Sequence, residues 1–82
     1  MKILSETYFI VRSHFRDGTA YIVAPAGWTR NCTNGMLYRD RYAVSPEIGN
    51  REHAHRFKSH RAAARAASAF VSASIEAIHI HA

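Results

Sequence analysis

The most regular hydrophobic pattern along the chain lies in residues 59–72. Its apolar positions recur at i, i+3, i+4 and i+7, which is the spacing of one buried helical face. They are Ala63, Ala66, Ala67 and Phe70, and the opposite stripe holds Arg61, Arg65, Ser68 and Ser72. Ser59 stands where an N-cap is expected. We therefore predict one main helix whose alanine-lined face lies close against a sheet while its arginines point to solvent.

A β-hairpin is predicted near the start of the chain. Residues 7–12 are β-branched or aromatic at both parities, which is typical of a central strand that is covered on both faces. Residues 15–18 include Asp17-Gly18, a strong hairpin signal. Residues 19–24 form the second strand, which Pro25 ends because proline donates no ladder hydrogen bond.

The middle of the chain mixes loop and strand signals. Residues 26–35 contain two glycines and two asparagines and are predicted to be a loop. Residues 36–44 are predicted to form a third strand that ends at Ser45-Pro46. Its more apolar parity would face the core, and this parity comprises Tyr38, Asp40, Tyr42 and Val44. Arg39 and Arg41 would then point outward.

A short turn and a last strand flank the main helix. Residues 51–55 are predicted to form one helical turn with Asn50 as N-cap, and Ala54 and Phe57 would hold that turn on the core. Residues 75–81 alternate as in a half-buried strand. In that strand, Ile78 and Ile80 would lie inward and His79 and His81 outward.

Together these elements predict an α+β fold. The order strand, strand, strand, helix, strand favours an antiparallel sheet of three to four strands with one main helix packed on one face. With 82 residues and no linker or repeat, residues 1–82 are expected to form a single small domain. An open edge on the last strand would allow a homodimer through edge pairing, so both monomer and homodimer remain open.

The composition indicates a cytoplasmic, basic protein. Cys32 is the only cysteine, so no intramolecular disulfide can form, and a reducing compartment is the simplest expectation. No apolar run approaches the ~18–20 residues of a membrane span, and the N-terminal stretch lacks the pattern of a signal peptide. The formal net charge is +5, and residues 51–65 carry five basic side chains against Glu52 alone. Such a patch suits a polyanion or an acidic protein surface.

Histidines are the candidate metal ligands of the sequence. Two His-x-His pairs occur, His53/His55 and His79/His81, and such a pair on a strand could share one Zn²⁺. Other side chains could complete a site: Cys32, His14 or His60. Because neither Cys-x-x-Cys nor His-x₃-His spacing is present, we expect no metal and no other cofactor.

Catalytic patterns are sparse. Cys32 with a histidine base is the one covalent-catalysis arrangement available, and no orienting group or oxyanion hole accompanies it. The six acidic residues are scattered, and no glycine-rich phosphate loop occurs. We therefore expect a protein that is not an enzyme.

Aromatic residues near the basic run raise the question of nucleic-acid binding. Tyr8 and Tyr21 could form a base-stacking platform, but sheet aromatics belong to the core more often, so we expect them under or beside the helix. No pattern of an RNA-recognition motif, helix-turn-helix or KH loop occurs. Trp28 is predicted to close one end of the core, with an interface anchor as the alternative.

Residues 49–67, GNREHAHRFKSHRAAARAA, resemble a pattern of small phage and prophage proteins. In that pattern a hairpin with a nearby tryptophan precedes A-x-x-F-x-S-x-x-x-A, a helix and a last strand. The matching positions are Ala54, Phe57, Ser59 and Ala63. The resemblance implies a protein of a mobile element, in the size and style of anti-CRISPR inhibitors. It carries over no functional residue, because the matching positions are caps and core.

Two functions follow as expectations. The first is a non-catalytic inhibitor that docks on a larger host protein or ribonucleoprotein complex of a defence system. The second is a nucleic-acid-binding module without sequence specificity that uses the basic run. The candidate binding residues for the two together are Trp28, Tyr38, Arg39, Arg41, Arg51, Arg56, Lys58, Arg61 and Arg65.

Overall fold

The computed structural model describes residues 5–31 and 33–81, which form two antiparallel sheets and one α-helix. The strands are β1 (Ser5–Phe15), β2 (Gly18–Ala24), β3 (Trp28–Arg30), β4 (Leu37–Arg39), β5 (Glu47–Gly49) and β6 (Ala73–His81); a 3₁₀ turn spans Arg51–His53, and the helix α1 spans His60–Ala67. The main sheet has the order β5-β2-β1-β6, and β3 and β4 form a second, two-stranded sheet. The predicted α+β class is confirmed, and the second sheet is an addition to it.

The N-terminal hairpin forms as predicted. β1 is a central strand that pairs with both β2 and β6, and Phe15 stands opposite Gly18, so the connecting loop is Arg16-Asp17. Ile10 and Val11, which point to opposite faces, are both buried. Strong β propensity at both parities therefore identified the strand that the whole sheet is built on.

The helix lies on the sheet through alanine, as the periodicity indicated. Ser59 is the N-cap, and its Oγ accepts a hydrogen bond from the Ala62 N–H at 3.1 Å. Ala63 is fully buried in a core cluster with Val11, Ile22 and Phe57, whereas Arg61 and Arg65 are exposed. We call the sheet surface under α1 the helix face.

The helix is shorter than its hydrophobic pattern. It ends at Ala67, and the Ser68 hydroxyl donates to the Arg65 carbonyl at 2.6 Å, a local bond that competes with further helical turns. Phe70 still packs against the core, with its ring edge-on to Phe15 at 6.2 Å. None of the helices in the described residues has the length and apolarity that crossing a membrane requires.

Residues 55–57 fill the gap where β2 turns away from β1. Phe57 and Phe9 exchange two backbone hydrogen bonds of 2.8 Å, and the His55 N–H donates to the Ile22 carbonyl at 2.8 Å. Phe57 is only 6% exposed and belongs to the core cluster. The prediction that Phe57 anchors this segment is confirmed, and the preceding turn is a 3₁₀ turn that follows Asn50 without a side-chain cap.

The predicted third strand is largely wrong. Only Leu37–Arg39 is extended, and it pairs with β3 inside the predicted loop 26–35 instead of joining the main sheet. Asp40 explains the early end, because its Oδ1 accepts from the Tyr42 N–H at 2.9 Å and turns the chain. The parity that was assigned to the core is mostly outside: Tyr38, Tyr42 and Val44 are exposed. The main-sheet position belongs instead to β5, which was not predicted.

The last strand was predicted with the wrong side inward. Val11 pairs with Ile75 and Tyr8 pairs with Ile78, so Ala73 and Ile75 face α1 while Ile78 and Ile80 point to the other side. Ile80 is exposed and Ile78 is half-buried. We call this second side, which also holds Tyr8 and Ile10, the open face.

Candidate functional site

The structure divides the predicted binding residues into three groups. Lys58, Arg61 and Arg65 lie on or just before α1; Arg51 and Arg56 lie over the open face; Trp28, Tyr38, Arg39 and Arg41 belong to the second sheet and the turn after it. Among residues 5–31 and 33–81, the side-chain ion pairs are those of Arg51 with Glu76 and of His53 with Glu52. The other arginines and Lys58 in the three groups thus have no carboxylate partner there.

On the open face, two arginines cover two tyrosines. The Arg56 guanidinium lies 4.6 Å above the Tyr8 ring centre, and that of Arg51 lies 5.6 Å above Tyr21. Tyr8 and Tyr21 are therefore not packed by the helix, and that expectation is wrong. A guanidinium therefore already occupies one face of each ring.

Arg51 is committed within the molecule. Its Nη1 donates to the Tyr21 hydroxyl at 3.3 Å and to the Glu76 carboxylate. The hydrogen bond to Tyr21, followed by that to Glu76, raises the pKa of Arg51 above its ordinary value. Arg56, in contrast, has no carboxylate partner among the described residues. It lies at the rim of an open cleft of about 620 Å³ over Ile10 and Ile78.

β4 and the segments on either side of it carry four exposed large side chains. Met36 is 67% exposed, Tyr38 50%, Tyr42 78% and Val44 89%. Arg39 and Arg41 are exposed between them along the chain. We call the set Met36, Tyr38, Arg39, Arg41, Tyr42 and Val44 the hairpin surface.

Aromatic stacking fixes the two arginines of the hairpin surface. The Arg39 guanidinium lies 5.1 Å from the ring centre of Trp28, and that of Arg41 lies 5.3 Å from the ring centre of Tyr42. Such stacking leaves the N–H edge of a guanidinium free to donate while it reduces side-chain motion. Arg41 Nη2 also donates to the Tyr42 hydroxyl at 3.4 Å.

Trp28 lies at the junction of the two sheets. It is half-buried and lines a small cavity of about 300 Å³ with Pro25, Leu37 and His55. It is not a member of the core cluster, so the prediction that it closes the core is wrong. Its ring stacks with the Arg39 guanidinium and thereby adjoins the hairpin surface.

Arg30 fastens the second sheet to the main sheet. Its Nε and Nη2 donate to the Val23 carbonyl at 3.0 and 2.8 Å, and its Nη1 donates to the Gly35 carbonyl. Its backbone N–H donates to Glu47 Oε2 at 3.1 Å. These bonds tie β3 and the loop before β4 to strands β2 and β5 of the main sheet.

An apolar groove connects the hairpin surface to the helix. It has a volume of about 350 Å³ and lies between residues 44–46 and α1. Its walls include Val44, Pro46, Ala62, Ala66 and Ala69, and Arg65 lines it from the helix side. Val44 belongs to both features, so the two are continuous there; Arg65 borders the groove, and Arg39 and Arg41 belong to the hairpin surface.

The two histidine pairs differ in their placement, because His53 and His55 do not lie on a strand whereas His79 and His81 both belong to β6. His53 lies in the 3₁₀ turn and His55 in the segment after it, and His79 Nδ1 is 2.9 Å from the Thr7 hydroxyl. No group of three or more His, Cys, Asp or Glu side chains in the described ranges is placed to hold a metal ion. Cys32, and with it every predicted arrangement that needs this thiol, lies outside the described residues.

His55 is a half-buried histidine against the edge of the Phe57 ring, 4.7 Å between ring centres. Burial, followed by the charge of Arg30, lowers its pKa from the ordinary 6.5. As the pH falls below about 6.5, His55 therefore binds a proton in the unfolded chain before it does so in the folded one. The free energy of unfolding decreases in that direction.

We predict that acidification from pH 7.5 to 5.5 destabilises the wild type more than His55→Gln, as measured by urea unfolding at each pH. The exposed His53→Gln is the matched control and should lose as much stability as the wild type. Equal losses in all three proteins would show that His55 does not contribute to the pH dependence.

The sequence did not identify several residues of this surface. Tyr42 and Val44 were expected to face the core, Met36 and Arg30 were given no role, and Pro46 was used only as the end of the third strand. One local signal was present, because Asp40 directly precedes Arg41-Tyr42. An aspartate carboxylate can accept a hydrogen bond from the backbone N–H two residues later, which turns the chain and exposes both side chains.

No protein-family model, curated protein or solved structure matches this chain.

Proposed function

We propose that this protein is a non-catalytic binding protein that docks on the surface of a larger protein and inhibits it by occupying that surface. One observation carries the proposal: the hairpin surface and the apolar groove beside α1 form a single surface with an apolar centre and arginine-aromatic surroundings.

The residue types on this surface are those that protein interfaces use. Tyr, Trp, Met and Arg are enriched at interface cores, and Tyr, Trp and Arg dominate the positions where truncation costs most affinity. The groove offers an apolar depression into which a partner side chain can fit. Anchoring through Arg30 keeps the surface in its binding shape, so little ordering is needed on association.

The charge pattern sets the chemistry of the partner. Arg39, Arg41 and Arg65 lie on or beside the surface, and no carboxylate among the described residues pairs with them. A partner surface that carries Asp or Glu around an apolar side chain would complement it. Stacked arginines then contribute bidentate hydrogen bonds to those carboxylates.

The partner class rests on the resemblance of residues 49–67 to small phage proteins. Within the proposal, the partner is a cytoplasmic host defence complex such as a CRISPR effector ribonucleoprotein. Inhibition would follow from blocking a surface that the complex needs for its target or for a conformational step.

Affinity capture tests the proposal. Tagged wild type is incubated with nuclease-treated bacterial lysate and, separately, with purified CRISPR effector complexes. Bound proteins are identified by mass spectrometry at 0.15 M and 0.5 M salt. We expect one defined protein or complex, with binding reduced at least ~100-fold by the double substitution Arg41→Ala/Tyr42→Ala, because each such anchor typically contributes ~2 kcal/mol or more.

The control is a matched pair elsewhere on the molecule. Phe15→Ala/Arg16→Ala removes an adjacent aromatic and arginine that are also exposed, at the β1–β2 turn. This control should bind like the wild type. If nothing is enriched by the wild type over Arg41→Ala/Tyr42→Ala, the docking function is wrong.

A second function has its own observation in its favour. Lys58, Arg61 and Arg65 are exposed along α1 with no carboxylate partner among the described residues, and such a ridge could contact phosphates. Fluorescence anisotropy with labelled single- and double-stranded oligonucleotides decides between the two. Micromolar or tighter binding at 0.15 M salt that weakens steeply with added salt and is lost in Lys58→Ala/Arg61→Ala/Arg65→Ala would establish this function instead.

A further inference from the structure

β6 is a long edge strand without the usual protection. It has nine residues, ASIEAIHIH, all in regular register with β1, and no described residue pairs with its outer side. Natural edge strands avoid further pairing through lysine, proline, bulges or short length. The strand contains no lysine, no proline and no glycine.

The opposite edge of the same sheet is protected. β5 has only three residues, and its register with β2 shifts between Ile22 and Ala24. Gly49 in that strand also packs tightly, since a Cβ there would lie 3.1 Å from Val23 Cγ1. The two edges therefore differ in length and regularity: β5 is short and irregular, whereas β6 is long and regular and can pair with a further strand.

We propose that β6 pairs antiparallel with β6 of a second copy of this chain, which joins two four-stranded sheets into one eight-stranded sheet around a two-fold axis. The proposal is independent of the docking function, because β6 does not belong to the hairpin surface or to the groove beside α1.

Charge argues for a second copy over an acidic segment as the occupant. The net charge of the chain is +5, but β6 carries a single carboxylate, Glu76, which is already paired with Arg51, and it carries no arginine or lysine. Two copies can therefore meet along β6 without bringing their arginines together. An acidic peptide would find its cations on α1 and the hairpin surface instead.

The pleat restricts the register of the pairing. Residues opposite each other across a ladder point to the same face, so a two-fold pair can be centred on a residue that meets itself. Centring on Ala77 would place two small methyl side chains on the axis, and centring on His79 would place two imidazoles there. Centring on Ile78 places an isoleucine pair on the axis, puts Glu76 opposite Ile80 and keeps residues 75–81 of both strands in the ladder.

The open face favours the same centre. Tyr8 stands next to Ile78 across β1 and β6. In the dimer these side chains would form the row Tyr8, Ile78, Ile78, Tyr8 across four adjacent strands, and such aromatic and β-branched neighbours stabilise a sheet. Both helices would lie on the same side, and the two hairpin surfaces would stay free.

The test is the mass of the protein in solution. Light scattering during size exclusion, from ~5 to 500 μM, is expected to give twice the mass of one chain for the wild type. Ile78→Lys places two ammonium groups opposite each other at the two-fold axis and should raise the dimer dissociation constant at least ~10-fold. Ile48→Lys is the control, because it adds the same charge to the protected edge strand, and it should remain dimeric.

A cross-linking variant tests the register. It also keeps the proposal testable if the lysine substitution prevents folding. In a Cys32→Ser background, Ile78→Cys should form a disulfide-linked dimer under mild oxidation, because opposite Cβ atoms of an antiparallel pair are within disulfide reach. Val71→Cys, which is exposed outside the strand, should stay monomeric on a denaturing gel. A wild type that has the mass of one chain at all concentrations, or a dimer that Ile78→Lys leaves intact, would overturn the proposal.

Discussion

Phe57→Ala is expected to lower the free energy of unfolding by about 3–5 kcal/mol. Phe57 is 6% exposed, belongs to the core cluster with Val11, Ile22 and Ala63, and joins β1 through two backbone hydrogen bonds. The total stability of a chain of 82 residues is about 4–12 kcal/mol, so this loss leaves a large unfolded fraction at 37 °C. Urea unfolding followed by circular dichroism measures it.

Phe15→Ala is the matched control for this prediction. The same atoms are removed, but Phe15 is 44% exposed and contacts Phe70 at the rim of the core, so the loss should be about 1 kcal/mol. Equal losses from the two substitutions would mean that residues 55–57 do not anchor the sheet as described.

Arg30→Met is expected to release the second sheet from the main sheet at a cost of about 2–4 kcal/mol, because hydrogen bonds from charged groups contribute ~1.5–3 kcal/mol each. The substitution keeps the length of the side chain but removes its donors to the Val23 and Gly35 carbonyls. Hydrogen exchange should become faster in residues 28–40. Emission from Trp28, the only tryptophan, should also shift, because its ring lies at the junction.

The same substitution should weaken partner binding although Arg30 is not on the hairpin surface. Loss of the anchor means that the surface must be ordered again on each association. Arg16→Met, an exposed arginine in the β1–β2 turn, is the control for both readouts. Unchanged exchange in residues 28–40, or equal acceleration throughout the main sheet, would contradict the role given to Arg30.

The parts of the fold that the sequence predicted well are those with strong local signals. The helix was located because Ala63, Ala66 and Phe70 repeat at helical spacing after an N-cap serine, and the buried face is the one expected. The first hairpin was located because two β-rich runs flank Asp17-Gly18. Local propensity and tertiary packing agree in both elements.

The parts that were missed depend on long-range contacts. β5 has three residues and exists because it pairs with β2, a contact that its own sequence does not signal. Residues 36–44 alternate like a strand, but the Asp40 carboxylate turns the chain and leaves Tyr42 and Val44 outside. The inward side of β6 is set by the pairing of Val11 with Ile75, and alternation alone does not decide it.

The candidate binding residues remain a prediction, and the structure shows only how they are arranged. Arg39, Arg41, Tyr38 and Arg65 were named from charge and composition, and they lie on or beside one surface. Arg51 was named with them, but it is held by Tyr21 and Glu76, two residues 30 and 25 positions away in the sequence. Such distant pairings decide which cations are free to bind.

Hydrogen exchange of the protein alone and bound to its captured partner tests most directly which surface docks. We expect slower exchange in the bound state at residues 36–46 and 61–69, which form the hairpin surface and the helix side of the groove, and unchanged exchange in residues 15–19 at the β1–β2 turn. Protection confined to the open face or to β6, with residues 36–46 unchanged, would contradict docking through the hairpin surface.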